Sequence, residues 1–355
     1  MIYYSLDKLK EKNSNFNILF GKRNNGKSYQ LKKLVLKEYF ESGNRFIYLR
    51  RTVNEIKKEL VENYFDDFDI YELSNHKYNC IVVKSNKFYF ANNNPETNKI
   101  VLGEKFGYIW SLIHYNNYKS GVYLDVNNII FEEFMTDSLY LYDEPKKLDS
   151  IYSTVDRNRL TTKLWLVGNA ISRVNPYLNG WNIRDIFLKL KIGEIKTTNI
   201  ITNDGIRDNN RTISIEYCSS DAGGKGLSLA SNMNDTGEFE ISKQPILPKS
   251  YKKYKSNYKF VFVYQNFMFL CEYLSDAKDT LFFIRPKYTP IKKNTLVIGD
   301  IIKPSIYYQR NIYDLHTRNK NLNDLLYSFN ESNLFFSDHR TGTEFKQLID
   351  FTIRR

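Results

Sequence analysis

Cysteine is scarce: Cys80, Cys218 and Cys271 are the three in 355 residues, far apart, with no C-x-x-C pair and no histidine at ligand spacing. That excludes a disulfide framework and a zinc site as organising features and points to a reducing compartment. Long apolar runs are lacking too. No stretch of about 18 apolar residues occurs, and the opening MIYYSLDKLKEKNS has no apolar core of the kind a signal peptide needs. Neither a leader nor a transmembrane helix is expected, and the protein should work in a cytoplasm. Acidic charge is in deficit: 52 Lys and Arg face 40 Asp and Glu, for a net charge of +12 and a pI near 9.2. That balance points to a polyanionic partner, although heavy use of Lys, Asn, Ile and Tyr is also what AT-rich coding produces. What the chain has in plenty is aromatic mass, 28 Tyr and 24 Phe, within an ordinary composition of 42% hydrophobic and 26% charged residues. This describes a folded chain, long enough for one large domain and a smaller one.

The most informative stretch is FNILFGKRNNGKS, Phe16 to Ser28. A short apolar strand runs into Gly21-Lys22-Arg23-Asn24-Asn25-Gly26-Lys27-Ser28, and a helix-forming segment from Tyr29 follows, stopped by Gly43. Strand, glycine-bounded loop and helix together form a phosphate-binding loop. Its backbone N–H groups turn inward at the positive end of a helix dipole, Lys27 reaches the outer phosphates, and Ser28 offers its hydroxyl to Mg²⁺. A nucleoside triphosphate ligand follows.

A second strand, Arg45 to Leu49, leads into Arg50-Arg51 and the charged TVNEIKKELVENYF, which predicts a helix. CIVVKSNKFYFANNN reads as a hairpin turning at Ser85-Asn86, part of an insertion over about 69–124. The next apolar strand, Asn127 to Phe134, ends in Glu132-Glu133. Alone, an acidic pair is as well a solvated strand end. Downstream of a phosphate loop it reads as Walker B, with Glu132 in the second shell of Mg²⁺ and Glu133 polarising the attacking water. No D-x-x-G closes this strand and no N-K-x-D follows it, which disfavours a small GTPase; a second carboxylate marks ATPases that hydrolyse with water to drive movement. A helix-like segment then ends in Arg157-Asn158-Arg159, and the strand Leu164 to Ala170 carries Asn169 where a γ-phosphate sensor belongs. Arg157 and Arg159 are either a salt-bridged helix end or fingers that reach a neighbouring subunit's nucleotide. The stretch 171–217 predicts closing strands of the same sheet.

The stretch 218–247 is rich in Gly, Ser and Asn with few large apolar residues and reads as a linker subdomain between an ATPase domain at 1–217 and a C-terminal domain at 248–355. The C-terminal part predicts a meander of three aromatic strands, FVFVYQN, FMFLCEYL and TLFFIRP, backed by helices at NLNDLLYSF and EFKQLIDFTI. From residue 248 onward, 18 Lys and Arg face 10 Asp and Glu, so a net +8 of the chain's +12 is concentrated there. Lys249, Lys252, Lys253, Lys255 and Lys259, interleaved with tyrosine, suit a nucleic-acid backbone. Glu272, Asp276 and Asp279 read as strand and turn positions rather than a metal cluster.

With these motifs in order, the chain resembles the DNA-packaging ATPases of small phages of the phi-29 type. The resemblance rests on G-x-R-x-x-G-K-S-Y (Gly21 to Tyr29), F-I-Y-x-R-R (Phe46 to Arg51), I-x-F-x-E-F (Ile129 to Phe134), T-V-x-R-N-R (Thr154 to Arg159) and N-A-x-S-x-V-N-P-Y (Asn169 to Tyr177). It implies an α/β P-loop ATPase domain of the additional-strand, conserved-glutamate (ASCE) class, FtsK/HerA-like and with a mostly parallel sheet. A small α+β domain like a nuclease-inactive RNase H would follow. It further implies ATP with Mg²⁺, Glu133 as catalytic glutamate, Arg159 as the preferred finger, Arg23 as a second phosphate contact, and a homo-oligomeric ring of five subunits. The ring would pump double-stranded DNA at the portal of a procapsid in the host cytoplasm, with a structural packaging RNA as a further candidate partner and no membrane. Glu132 departs from the aspartate usual in that family. The rivals are a nucleic-acid-stimulated ATPase or helicase outside packaging, and a nucleotide-gated DNA-binding module.

Overall fold

A computed structural model describes residues 3–97, 99–136, 140–170, 173–201, 207–219, 241–247, 253–264, 267–276, 279–299, 308–311 and 320–353. The chain divides into two compact units, Met1–Ile171 with Asn175–Phe239, and Ser172–Val174 with Glu240–Arg355. No described helix is long and apolar enough to cross a membrane.

The first unit is built on nine strands: β1 (Phe16–Gly21), β2 (Arg45–Arg50), β3 (Cys80–Lys84), β4 (Lys87–Asn94), β5 (Lys99–Ser111), β6 (Val126–Glu132), β7 (Lys163–Asn169), β8 (Ile195–Ile201) and β9 (Arg207–Cys218). They lie in the order β3-β4-β5-β2-β6-β7-β1-β9-β8. Every pairing from β5 through β9 is parallel, while β3, β4 and β8 add antiparallel edges. β1 is buried at all six positions, as expected of a central parallel strand covered on both faces. The strand bearing the acidic pair is not its neighbour. β7 lies between β1 and β6, which is the additional strand of the ASCE class.

The hairpin at Ser85-Asn86 forms as expected, both residues taking positive φ (49° and 56°), the geometry that matches strand twist in a two-residue turn. Two expectations are corrected. The charged segment 52–65 is no continuous helix: a 3₁₀ turn at Asn54–Ile56 and a single helical turn at Lys58–Val61 are separated by Lys57 in an extended conformation. Burial of Ile56, Val61 and Phe65 overrides its helix propensity. Among its described residues the stretch 171–217 supplies two strands, β8 and β9, while Pro176–Gly180 and Arg184–Lys189 are helical. Ile183, Phe187 and Leu190, all buried, recur at helical rather than alternating spacing.

The second unit holds β10 (Lys255–Tyr264), β11 (Phe267–Ser275), β12 (Thr280–Pro286), β13 (Leu296–Gly299), β14 (Tyr308–Asn311) and β15 (Leu334–Phe336). β10 to β12 form the expected antiparallel meander; β13 and β14 add in parallel beside β10, the arrangement of an RNase H-type sheet. Phe262 and Phe269 pack on Phe345 of the helix His339–Ile353, which seals one face.

Candidate nucleotide-binding site

The loop after β1 turns into the helix Lys27–Ser42 through Gly26, at φ 99°. Gly21 is required for a different reason: a Cβ there would meet the Cys218 carbonyl oxygen at 2.8 Å. Lys27 is buried within the loop, its ammonium donating to the Lys22 carbonyl (2.5 Å) and to Asn25 Oδ1 (3.0 Å). Burial lowers its pKa to about 8, while Cys218 and Glu132 pull it back up. The loop opens on a cavity of about 660 Å³, a size suited to a nucleotide. Arg23, Tyr29, Glu132, Glu133 and Asn169 all line it. Asn25 Nδ2 is buried there with no acceptor, a donor that a phosphate oxygen would satisfy.

Glu132 stands at the carboxyl end of β6. Burial raises its pKa, offset by hydrogen bonds from Ser28 and Tyr64 and by the charges of Arg50 and Lys32; the Tyr64 hydroxyl donates to Oε1 at 3.1 Å. Glu133 follows at φ 54°, a left-handed backbone that costs a non-glycine residue about 1–3 kcal/mol. Its side chain is 62% exposed and accepts a hydrogen bond from Arg50 Nη2 at 2.6 Å. The Asn169 end of β7 pairs with Gly21 in register, bringing the expected sensor to the loop.

The two arginines beyond the helix Glu144–Asp156 part company. Arg159 donates to the carbonyls of Leu124, Val126, Val155 and Asp156 and to the Thr162 hydroxyl, so it closes the helix end onto the start of β6. Arg157 is exposed and donates to the Gly121 carbonyl. Buried Asp156 receives the N–H groups of Leu160 and Thr162 and holds a loop in which Arg157, Asn158 and Leu160 all have positive φ.

A family model described as podovirus DNA encapsidation protein (Gp16) matches residues 1–341. The chain belongs to this family. The DNA packaging protein of Bacillus phage PZA is 31% identical over 185 residues, which are 51% of this chain and 51% of that protein. That of Bacillus phage B103 is 34% identical over 164 residues, 45% of this chain and 46% of the other. The chain thus spans about half the length of the curated relatives it matches. Among solved structures, the bacteriophage phi-29 viral genome packaging motor assembly superposes with a TM-score of 0.58 at 22% identity, covering 99% of this chain and 100% of that one. This likeness is one of fold.

For this family member, the lysines singled out in the sequence fare differently. Lys249 and Lys252 lie outside the described residues. Lys253 pairs with Asp276 at 3.2 Å, whereas Lys255 and Lys259 are exposed on β10. Asp276 and Asp279 bond to each other across the β11–β12 turn. Several residues escaped the sequence reading: Tyr3, Lys32 and Asp67, which line the cavity, and Arg50 and Tyr64, which reach Glu133 and Glu132. Of these, only Arg50 carried a signal, as part of the F-I-Y-x-R-R motif.

Proposed function

We propose that this protein is an ATP-driven double-stranded DNA translocase that packages a viral genome into a preformed procapsid. The observation that carries this is the meeting of the Gly21–Ser28 loop, Glu132-Glu133 and Asn169 around one cavity, on a sheet with an additional strand, in a DNA encapsidation family. Lys27 and the loop N–H groups hold the triphosphate; approaching phosphates keep the Lys27 ammonium charged despite its burial. Ser28, with Glu132 behind it, would hold Mg²⁺, which would supply charge neutralisation for the phosphates. Glu133 orients the attacking water once its carboxylate leaves Arg50, and Asn169 senses the γ-phosphate.

Hydrolysis is completed by an arginine from a neighbouring subunit of a homo-oligomeric ring, five copies by family resemblance. Arg157 suits this role better than Arg159, because five acceptors of its own chain already occupy Arg159. The basic C-terminal unit grips DNA through phosphates and does not cut it: the Asp276 carboxylate is already met by the Asp279 N–H and by Lys253. The ring works in the host cytoplasm, docked to the portal of the procapsid, and a structural RNA is a candidate bridge.

A mixing experiment tests the shared site. Glu133→Gln and Arg157→Ala subunits should each lose about 100-fold or more in turnover while still binding a nucleotide analogue, and mixed rings should regain part of it. Absence of recovery in verified rings would contradict a finger acting in trans.

A further inference from the structure

Arg50 and Arg51 are adjacent in the chain and divide the handling of one residue between them. Arg50 holds the Glu133 carboxylate. Arg51 holds the backbone instead, its Nη1 donating to the Glu133 carbonyl (3.1 Å) and Nη2 to the Phe134 carbonyl (2.8 Å). The remaining edge of its guanidinium meets Glu144, with Nε at 3.1 Å from both carboxylate oxygens and Nη2 at 3.0 Å from Oε1. Glu144 is fully buried and also accepts from the Tyr177 hydroxyl (2.8 Å) and the Leu141 N–H (2.7 Å). The Phe131 and Tyr140 rings lie near the guanidinium, and the Tyr177 ring is buried near Phe131, Phe134 and Trp181.

A buried, multiply bonded ion pair contributes little net stability compared with apolar packing, so its use is better sought in the conformation it specifies. Here that conformation is the left-handed backbone of Glu133, which nothing in its own side chain favours. We propose that Arg51, Glu144 and Tyr177 are positioning residues for hydrolysis. They fix the Glu133 peptide, leaving its carboxylate free only to rotate between Arg50 and the water it activates. The three come from different elements: Arg51 follows β2, Glu144 begins the helix that ends beside Arg157, and Tyr177 lies beyond the Asn169 strand. One buried knot therefore ties the hydrolytic glutamate to the arginine helix and to the segment after the sensor strand. The inference rests on the reading of Glu133 as the hydrolytic carboxylate.

Tyr177→Phe is the cleanest probe, since it deletes one hydroxyl from a fully packed ring. Full-length protein should stay folded and keep its analogue affinity, with a thermal midpoint lowered by the loss of one hydrogen bond to buried Glu144, while kcat, read well below that midpoint, falls roughly three- to tenfold. Arg51→Lys, which keeps the charge but loses the planar fork, should lower kcat further, and it supplies the reading if Tyr177→Phe proves unstable. In a Glu133→Gln background, Tyr177→Phe should leave the residual rate unchanged, because a residue acting through Glu133 has nothing left to act through. Two results would overturn the proposal: wild-type kcat in both variants, or an equal fractional loss with and without Glu133. A Glu133→Gln protein with undiminished turnover would instead remove the underlying reading of the site.

Discussion

At the scale of single residues, Glu144 is the most demanding group in the first unit, a carboxylate with no exposed surface. Its burial is tolerated because Arg51, Tyr177 and the Leu141 N–H together meet it. Arg51→Ala should therefore cost about 3–5 kcal/mol, the penalty for stranding a buried charge, measured as a shift in the urea midpoint at unchanged slope. A loss below about 1 kcal/mol would mean that the pair is solvated like a surface ion pair. Lys27, Ser28 and Glu133 were legible in the sequence because their chemistry is declared by a few contiguous neighbours. Arg51 and Glu144 were not, since the two stand 93 positions apart in the chain and meet only through the fold. Arg157 and Arg159 are equivalent as letters in T-V-x-R-N-R; which one turns inward depends on the carbonyls of Leu124 and Val126, supplied by the turn before β6 and its first residue.

At the scale of elements, periodicity revealed β1, β6 and β7 and the C-terminal meander, all dense in apolar or aromatic residues. It misjudged segments where packing competes with propensity, as at 52–65 and 182–190. Helix ends offer a further check. Asp338 stands at the start of the helix His339–Ile353 and accepts from the Thr341 N–H and hydroxyl (both 2.7 Å) and the Ser337 hydroxyl (2.8 Å). Burial alone would raise its pKa, but the Thr341 and Ser337 hydrogen bonds outweigh it and leave the carboxyl below its usual value. A depressed folded-state pKa means a contribution fully present above the unfolded value near 4 and lost as pH falls through the folded one. Asp338→Ala should cost about 1 kcal/mol at neutral pH, and its melting gap from wild type should close in acid. A gap that persists below about pH 2 would show that the cap acts without its charge.

At the scale of the whole molecule, the two units separate chemistry from charge: the nucleotide cleft lies in the first, and the net +8 is carried from residue 248 onward. A motor that moves any genome must hold DNA by its phosphates, which makes the grip salt-sensitive and sequence-blind. The account stands or falls on whether nucleotide turnover moves DNA. The decisive measurement is the amount of nuclease-protected DNA inside procapsids supplied with ATP and wild-type, Lys27→Ala or Glu133→Gln protein. Protection with wild type and its loss with both variants is the predicted result. Wild-type levels of protected DNA with Lys27→Ala, in protein that no longer binds ATP, would contradict it.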